Sequence, residues 1–325
     1  MPTVVIAYAD FPDTALEDDI LKTIGATIVR VGGLASPEQL EAARQADGLM
    51  VSIQSVPASL LNSMARCRIV SRMGTGLDAI DIPAATARGI WVTNVPDYAV
   101  DEVSTHAISL LLALARRLPP MLASTQQGLW DSSLARPFPR LRGQTLGVLG
   151  FGRIGRATAA KARGLGLEVI AHDPYVSAQT IAALGVQAVD AERLWRESDF
   201  LSLHTPLTDE TRQVVNAQTL ARVKPTAFLI NTARGALVDD AALLQAVRSG
   251  QLAGAALDVL SVEPPQPDHP LLHEEHILIT PHYAWYSEAA SRDVRVSATE
   301  EIVRVLRGDR PRCPANQFVD QRQGT

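Results

Sequence analysis

The chain has 325 residues, 46% of them hydrophobic and 20% charged, with a formal net charge of -5. At roughly 150 residues per domain this length calls for about two domains, and the composition is that of a folded protein rather than a disordered chain. The modest acidic balance excludes the basic field that draws nucleic acid or anionic membrane, so small ligands are expected and no direct nucleic-acid partner.

Cys67 and Cys313 are the only cysteines. They lie far apart with no Cys or His at ligand spacing, so neither a disulfide framework nor a metal site is indicated, and a reducing, cytoplasmic setting is expected. Lysine occurs only at Lys22, Lys161 and Lys224 while arginine is spread along the chain, a bias from which no function follows. The N-terminal Met1-Pro-Thr-Val-Val-Ile-Ala-Tyr8 lacks the charged and longer apolar regions of a signal peptide and reads as a first strand. The longest apolar run, Leu110 to Ala115, is far shorter than the about 20 residues a bilayer requires, so no membrane partner is expected.

In chain order, five strand candidates alternate with helical stretches: Val4 to Tyr8, Thr27 to Val31, Gly48 to Ile53, Ile69 to Met73 and Ile90 to Val95. A long helix follows from Asp101 to Leu118, acidic in its first turn and basic in its last, with Pro119-Pro120 expected to stop it. It is expected to link two domains. Pro137-Phe-Pro139 marks a loop, and a second series begins: Thr145 to Leu149, Leu167 to Ala171, Phe200 to His204, Ala227 to Asn231, Gly254 to Val259 and Ile277 to Thr280. Six strands with intervening helices match the doubly wound dinucleotide-binding sheet. The last helix, about Ser287 to Leu306, is too short for a domain of its own and is expected to return to the first.

Gly150-Phe-Gly152-Arg153-Ile154-Gly155 directly follows an apolar strand and opens an alanine-rich helix. The glycines permit a tight turn and close backbone approach to a pyrophosphate, and the free N–H groups at the helix start attract the anion. Asp173, at the end of the next strand, stands where a carboxylate hydrogen-bonds a ribose, which favours NAD over NADP. The ordinary alternative is that Asp173 caps a turn before Pro174; His172 beside it reads as a packing residue.

Arg234, Glu263 and His282 stand at or just beyond the later strand ends, where ligands bind in open α/β folds. They lie in Leu229-Ile-Asn-Thr-Ala-Arg-Gly235, Ala256-Leu-Asp-Val-Leu-Ser-Val-Glu-Pro-Pro265 and Ile279-Thr-Pro-His-Tyr-Ala-Trp285. Taken singly, each has a bland alternative: a surface arginine, a solvated loop charge, a turn histidine. With these phrases, and with Met73-Gly-Thr-Gly-Leu-Asp-Ala-Ile-Asp81, Asn94-Val-Pro96 and His204-Thr-Pro-Leu-Thr208, the chain resembles the D-isomer-specific 2-hydroxy acid dehydrogenase family from about residue 45 to residue 308.

The resemblance implies an α/β fold: a doubly wound parallel-sheet NAD(P)-binding Rossmann domain, residues 99–284, plus a flavodoxin-like substrate domain built from both chain ends, residues 1–98 and 285–325. It also implies reaction in a cleft between them, and a homodimer formed largely through the NAD domains. The expected cofactor is NAD, held by Gly150, Gly152, Arg153, Ile154, Gly155 and Asp173, by His204, Thr205 and Pro206, by Thr232, Ala233 and Arg234, and by Asp258 and His282. A 2-oxo acid presents a carboxylate beside its carbonyl, which the planar donors of Arg234 suit. His282 would protonate the oxygen in reduction and take the proton in oxidation, and Glu263 within reach would orient the ring and favour its protonated form. Successive amides of Gly74, Thr75 and Gly76 would bind the substrate carboxylate, unless that segment is only a strand-to-helix turn.

Arg72 with Pro281-His-Tyr-Ala-Trp-Tyr-Ser-Glu288 resembles the branch containing the C-terminal binding proteins, corepressors that retain a dehydrogenase fold. That likeness implies that Arg72 and Trp285 line a pocket for an apolar 2-oxo acid; Trp285 could equally fill a domain interface. An NAD-sensing scaffold is therefore the alternative class. Within enzymes the alternatives are 3-phosphoglycerate dehydrogenase and glyoxylate or hydroxypyruvate reductase. The chain leaves no room for an added regulatory domain, so serine feedback is not expected, and Glu263 argues against formate oxidation, where a glutamine would suit.

Overall fold

The computed structural model describes every residue except 9, 10, 12, 136–138 and 319–325. The loop expected at Pro137 and Phe138 therefore lies outside the described residues. The first elements are β1 (Thr3–Ile6), α1 (Ala15–Lys22), β2 (Thr27–Arg30), α2 (Pro37–Arg44), β3 (Gly48–Val51), α3 (Ala58–Ser63), β4 (Ile69–Arg72), α4 (Ile82–Ala87) and β5 (Trp91–Thr93). Then come α5 (Val100–Ala115), α6 (Leu118–Gln126), β6 (Thr145–Leu149), α7 (Arg153–Gly164), β7 (Glu168–His172), α8 (Ala178–Ala183), β8 (Gln187–Ala188), α9 (Ala191–Glu197) and β9 (Phe200–Leu203). The chain continues through α10 (Ala217–Leu220), β10 (Phe228–Asn231), α11 (Asp240–Arg248), β11 (Gly254–Leu257), β12 (Ile277–Ile279) and α12 (Glu288–Arg307). They form two compact units, Met1–Tyr98 with Ser287–Thr325, and Ala99–Tyr286.

In the first unit all five strands run parallel in the order β2-β1-β3-β4-β5, the flavodoxin order. Alternate residues face opposite sides. Val5, Leu49, Val51, Val70 and Val92 share one apolar cluster with Leu60, Leu61 and Ala85 of α3 and α4. Val4, Ile6, Met50 and Ile69 share the other with Leu21 of α1 and Val294, Ala298 and Ile302 of α12. Helices on both faces explain why these strands read as near-continuous apolar runs.

Ser287 caps α12 by accepting the Ala290 N–H, and Gly308 at φ 101° ends it. Across this packing runs a buried ion pair: Arg295 donates to both Glu17 oxygens at 2.6 Å and to the Asp13 carbonyl at 2.5 Å. The Tyr8 hydroxyl donates to the same carboxylate at 3.1 Å. Burial first, then the Glu17 charge, hold that hydroxyl protonated far above its ordinary range.

The second unit is a seven-stranded parallel sheet in the order β12-β11-β10-β9-β6-β7-β8. Six strands were expected. The seventh, β8, is a two-residue edge strand paired to β7 through Ile170↔Gln187 and Ala171↔Ala188, too short for any periodicity to announce it. The order reverses between β6 and β9, and that is the point at which ligands bind in open sheets. Helix α5 buries Ala107, Leu111 and Leu114 together with Ala159 and Ala162 of α7 and Leu146 and Val148 of β6.

The prolines expected to stop α5 instead start α6. They occupy its first turn, where a missing N–H leaves no bond unmade, and Arg117 at φ 47° turns the chain by 65° between the two helices. No single helix is long and apolar enough to cross a membrane among the described residues.

Candidate active site

The Gly150–Gly155 turn sits on the reversal between β6 and β9. Gly150 adopts φ 90°, and a Cβ there would fall 2.6 Å from the Thr205 amide nitrogen. A Cβ on Gly155 would fall 2.2 Å from the Gly150 carbonyl oxygen, so α7 can meet the strand end only with glycine at that position. At Gly152, the N-cap of α7, a Cβ would meet nothing within 4 Å. Two glycines are thus forced by the fold, while the third leaves open ground at a helix start, where free N–H groups favour an anion. Arg153 and Ile154 open α7 beside it.

Asp173 follows β7. Its Oδ2 accepts the Phe151 N–H at 2.7 Å and its Oδ1 the Tyr175 N–H at 2.8 Å. The carboxylate therefore closes the turn before Tyr175 and steadies the glycine turn as well, with lone pairs left over. His172 packs, its Nδ1 at 3.0 Å from the Val189 carbonyl. His204 donates its backbone N–H to Leu149 at 2.7 Å, and its ring Nε2 meets the Ser202 hydroxyl at 2.9 Å. Burial pushes that imidazole down to about 4, so it is neutral at neutral pH. Thr205 and Pro206 continue from it along the same turn. At the end of β10, Thr232 is buried and its hydroxyl finds no hydrogen-bond partner among the described residues. A buried unmet hydroxyl at a strand end suits a polar ligand.

Arg234 is brought to Glu263 by a backbone contact. A Cβ on Gly235 would lie 1.9 Å from the Leu260 carbonyl carbon and 2.4 Å from the Ser261 nitrogen, so the two loops touch because glycine is there. Asn231 fixes the turn between Thr232 and Arg234 from beneath: its Oδ1 accepts the Ala233 N–H at 3.0 Å and its Nδ2 donates to the Arg234 carbonyl at 2.8 Å. Glu263 Oε1 accepts the Leu260 N–H at 2.8 Å and Oε2 meets His282 Nδ1 at 2.5 Å. Burial alone would raise this carboxyl. The hydrogen bond and charge of His282, the Leu260 N–H and the Arg234 guanidinium together outweigh it and hold the group below the usual carboxylate range.

His282 stands at φ 50°, rare for a residue with a side chain. Its N–H is shared between the Asp258 and Thr280 carbonyls at 2.8 and 3.0 Å. Asp258, almost fully buried, accepts the Thr280 hydroxyl at 2.5 Å and the Tyr283 N–H at 3.1 Å on Oδ1, and the Ala284 N–H at 3.0 Å on Oδ2. Three of its acceptor positions thus serve the protein itself. Sequence reasoning passed over Asn231 and Thr280, and His106 of α5, whose Nε2 reaches Thr280 Oγ1 at 3.1 Å. A polar ring inside an otherwise apolar helical face was the available signal.

Trp285 belongs to the same unit and packs edge-on against Tyr286 at 5.5 Å. Arg72, Gly74, Thr75 and Gly76 belong to the first unit. There Arg72 Nη1 donates to the Met73 carbonyl at 2.5 Å and lies over Gly74, whose added Cβ would fall 1.4 Å from it. The Gly74 N–H is taken by the Arg72 carbonyl at 3.1 Å, which corrects the expectation of three successive free amides. Those of Thr75 and Gly76 meet no acceptor among the described residues.

A doubly wound sheet with a glycine turn at its reversal point and an open helix start beyond it places the second unit among dinucleotide-binding domains. Residues 108–284 match the D-isomer specific 2-hydroxyacid dehydrogenase, NAD binding domain, and the chain belongs to that family. D-3-phosphoglycerate dehydrogenase of Methanocaldococcus jannaschii is 37% identical over 292 residues, 89% of this chain and 55% of its own length. The chain spans about half the length of the curated relatives it matches. Among solved structures, the TT0316 protein from Thermus thermophilus superimposes with a TM-score of 0.86 at 34% identity, covering 97% of this chain and 100% of that one. D-lactate dehydrogenase from Aquifex aeolicus, complexed with NAD and lactic acid, gives 0.86 at 27% identity, covering 94% and 96%.

Proposed function

We propose that this chain is an NAD-dependent oxidoreductase that interconverts a small D-2-hydroxy acid and its 2-oxo acid. The observation that carries the proposal is the 2.5 Å contact between Glu263 and His282 beside Arg234, in the unit that bears the glycine turn. With Nδ1 committed to the carboxylate, Nε2 is the ring atom left to hand a proton to the 2-oxo oxygen, or to take one from the 2-hydroxyl. Arg234 binds the carboxylate and carbonyl oxygens through its planar donors. The nicotinamide, when bound, supplies or accepts the hydride at C2. Glycine turn, Asp173 and the buried Thr232 hydroxyl are the residues that fit such a cofactor. Arg72 and the amides of Thr75 and Gly76 give the first unit the chemistry of a carboxylate anchor, and we assign it the substrate role.

The names of the relatives put the 3-phosphoglycerate pair first among substrates, ahead of glyoxylate and hydroxypyruvate. We assign the protein to the reducing cytoplasm, in keeping with a sequence that holds two cysteines, Cys67 and Cys313, far apart in the chain. A homodimer is supported by large apolar side chains exposed on and after α6, Leu122, Leu129 and Trp130 by 59%, 54% and 94%.

The test is NADH oxidation against phosphohydroxypyruvate, hydroxypyruvate, glyoxylate, pyruvate and longer apolar 2-oxo acids, with Arg234→Ala as control. Turnover on one of them, lost in the control, is the expected result. Tight NADH binding with no turnover on any acid would sink the reading and favour a sensing scaffold.

A further inference from the structure

Helix α5 buries an apolar face made by Val103, Ala107, Leu110, Leu111 and Leu114, and His106 interrupts its chemistry. The ring is largely shielded and stands edge-on to Tyr283 at 4.9 Å. Its partners fix its tautomer. The Thr280 hydroxyl has one hydrogen, given to Asp258 Oδ1 at 2.5 Å, so toward His106 it offers only a lone pair, and the hydrogen in that 3.1 Å contact sits on Nε2. Burial pushes the His106 imidazole below its ordinary value, outweighing the pull of Asp258, which leaves a neutral donor at neutral pH.

Below this contact the chain of bonds goes straight to the segment that carries His282. Asp258 collects the backbone N–H groups of His282, Tyr283 and Ala284, the first on its carbonyl and the other two on its carboxylate. The three successive N–H groups that set the path of the loop therefore all reach one residue, the first of them shared with the Thr280 carbonyl. The Asp258 carboxylate also accepts the Thr280 hydroxyl, and the Thr280 oxygen in turn accepts from His106. A non-glycine residue at φ 50° persists only where its surroundings over-determine it, and this network is what does so.

We propose that His106, acting through Thr280 and Asp258, is a positioning residue that holds the loop 280–284 in the register where the His282 ring meets Glu263. The inference rests on the proton-transfer role given to His282 above. The plain alternative is a histidine that merely fills and satisfies the core, and the two differ in what its removal does to turnover.

The test uses the full chain with NADH bound and the 2-oxo acid it turns over best. His106→Phe keeps a ring on Tyr283 and deletes the donor, while His106→Gln keeps an N–H. We expect His106→Phe to lower kcat about 10- to 100-fold, the scale of a misplaced catalytic group, with the NADH Kd within about twofold. His106→Gln should recover most of it. Thr280→Val should fall as far as His106→Phe and Thr280→Ser should not, and the double variant His106→Phe/Thr280→Val should be no worse than either alone, because both break one chain. The downfield proton resonance of the His282–Glu263 hydrogen bond should vanish in His106→Phe.

A lower Tm with kcat within about twofold and the resonance intact would overturn the proposal and leave a structural histidine. If His106→Phe fails to fold, the Thr280→Val and Thr280→Ser pair carries the same test, and equal turnover in the two overturns it. His282→Ala separates the two levels: full turnover in that variant defeats the reading of the site itself. Its loss alongside an unaffected His106→Phe defeats only this inference.

Discussion

The glycine turn and the Glu263–His282 pair both follow strand ends of the second unit's sheet, and they are held by different means. The turn is shaped by side chains that are missing: Gly150 and Gly155 are glycine because backbone already fills the space within 2.7 Å of where a Cβ would go. The pair is shaped by side chains that are present and held from a distance, His282 by bonds from Asp258 and, beyond it, Thr280 and His106. A site made of backbone tolerates change around it but little at its own positions. One made of bonded side chains can be detuned from several places, each with a different signature.

The sharpest way to break the comparison is His282→Ala. It should lower kcat by about 10² to 10⁴ while leaving the NADH Kd almost unchanged, and a loss confined to cofactor binding would move His282 out of the proton-transfer role. Next in size is Gly235→Ala, which forces the Arg234 loop off Leu260. Steady-state kinetics should show kcat down about 10- to 100-fold, and denaturation a loss of about 1–3 kcal/mol, with NADH binding kept. Wild-type kinetics there would show that the contact does not set the pair.

Asp173→Ala probes the turn from its supporting side. It should weaken NADH by about tenfold, the equivalent of one charge-assisted hydrogen bond, and NADPH much less. Equal losses for both would mean that the carboxylate only steadies Phe151 and Tyr175. The smallest effect on turnover is expected for His204→Gln, read in the stability of the cofactor-free protein. A folded value of about 4 against an ordinary 6.5 means the unfolded chain binds the extra proton first. That contribution is complete above about 6.5 and is lost as pH falls toward about 4, on the order of 3 kcal/mol in all. The substitution should flatten the slope in that window, and an unchanged slope would show that the ring is not the group being charged.

The same contrast decides what was legible in the sequence. The fingerprint could be read because its glycines and the strand and helix around it are contiguous. Arg234, Glu263 and His282 could be read as strand-end residues because parallel strands announce themselves by apolar runs. What joins them could not. Asp258 and Ala284 are 26 residues apart and His106 and Thr280 are 174 apart, so their bonds leave no local pattern. Edge strand β8 escaped for want of length. Pro119-Pro120 misled because proline is as acceptable in the first turn of a helix as just after the last, and only the left-handed Arg117 decides between them.

The clasp between Glu17 and Arg295 has a consequence for synthesis. The strands of the first unit leave the ribosome early, but one face of their sheet is covered by a helix whose last residue is Arg307. At about 5–20 residues per second the intervening unit, Ala99–Tyr286, is made and able to fold while that face and the Glu17 carboxylate still wait for their partners. The domain begun first is finished last, and for those seconds the nascent chain carries an open apolar sheet that chaperones can recognise.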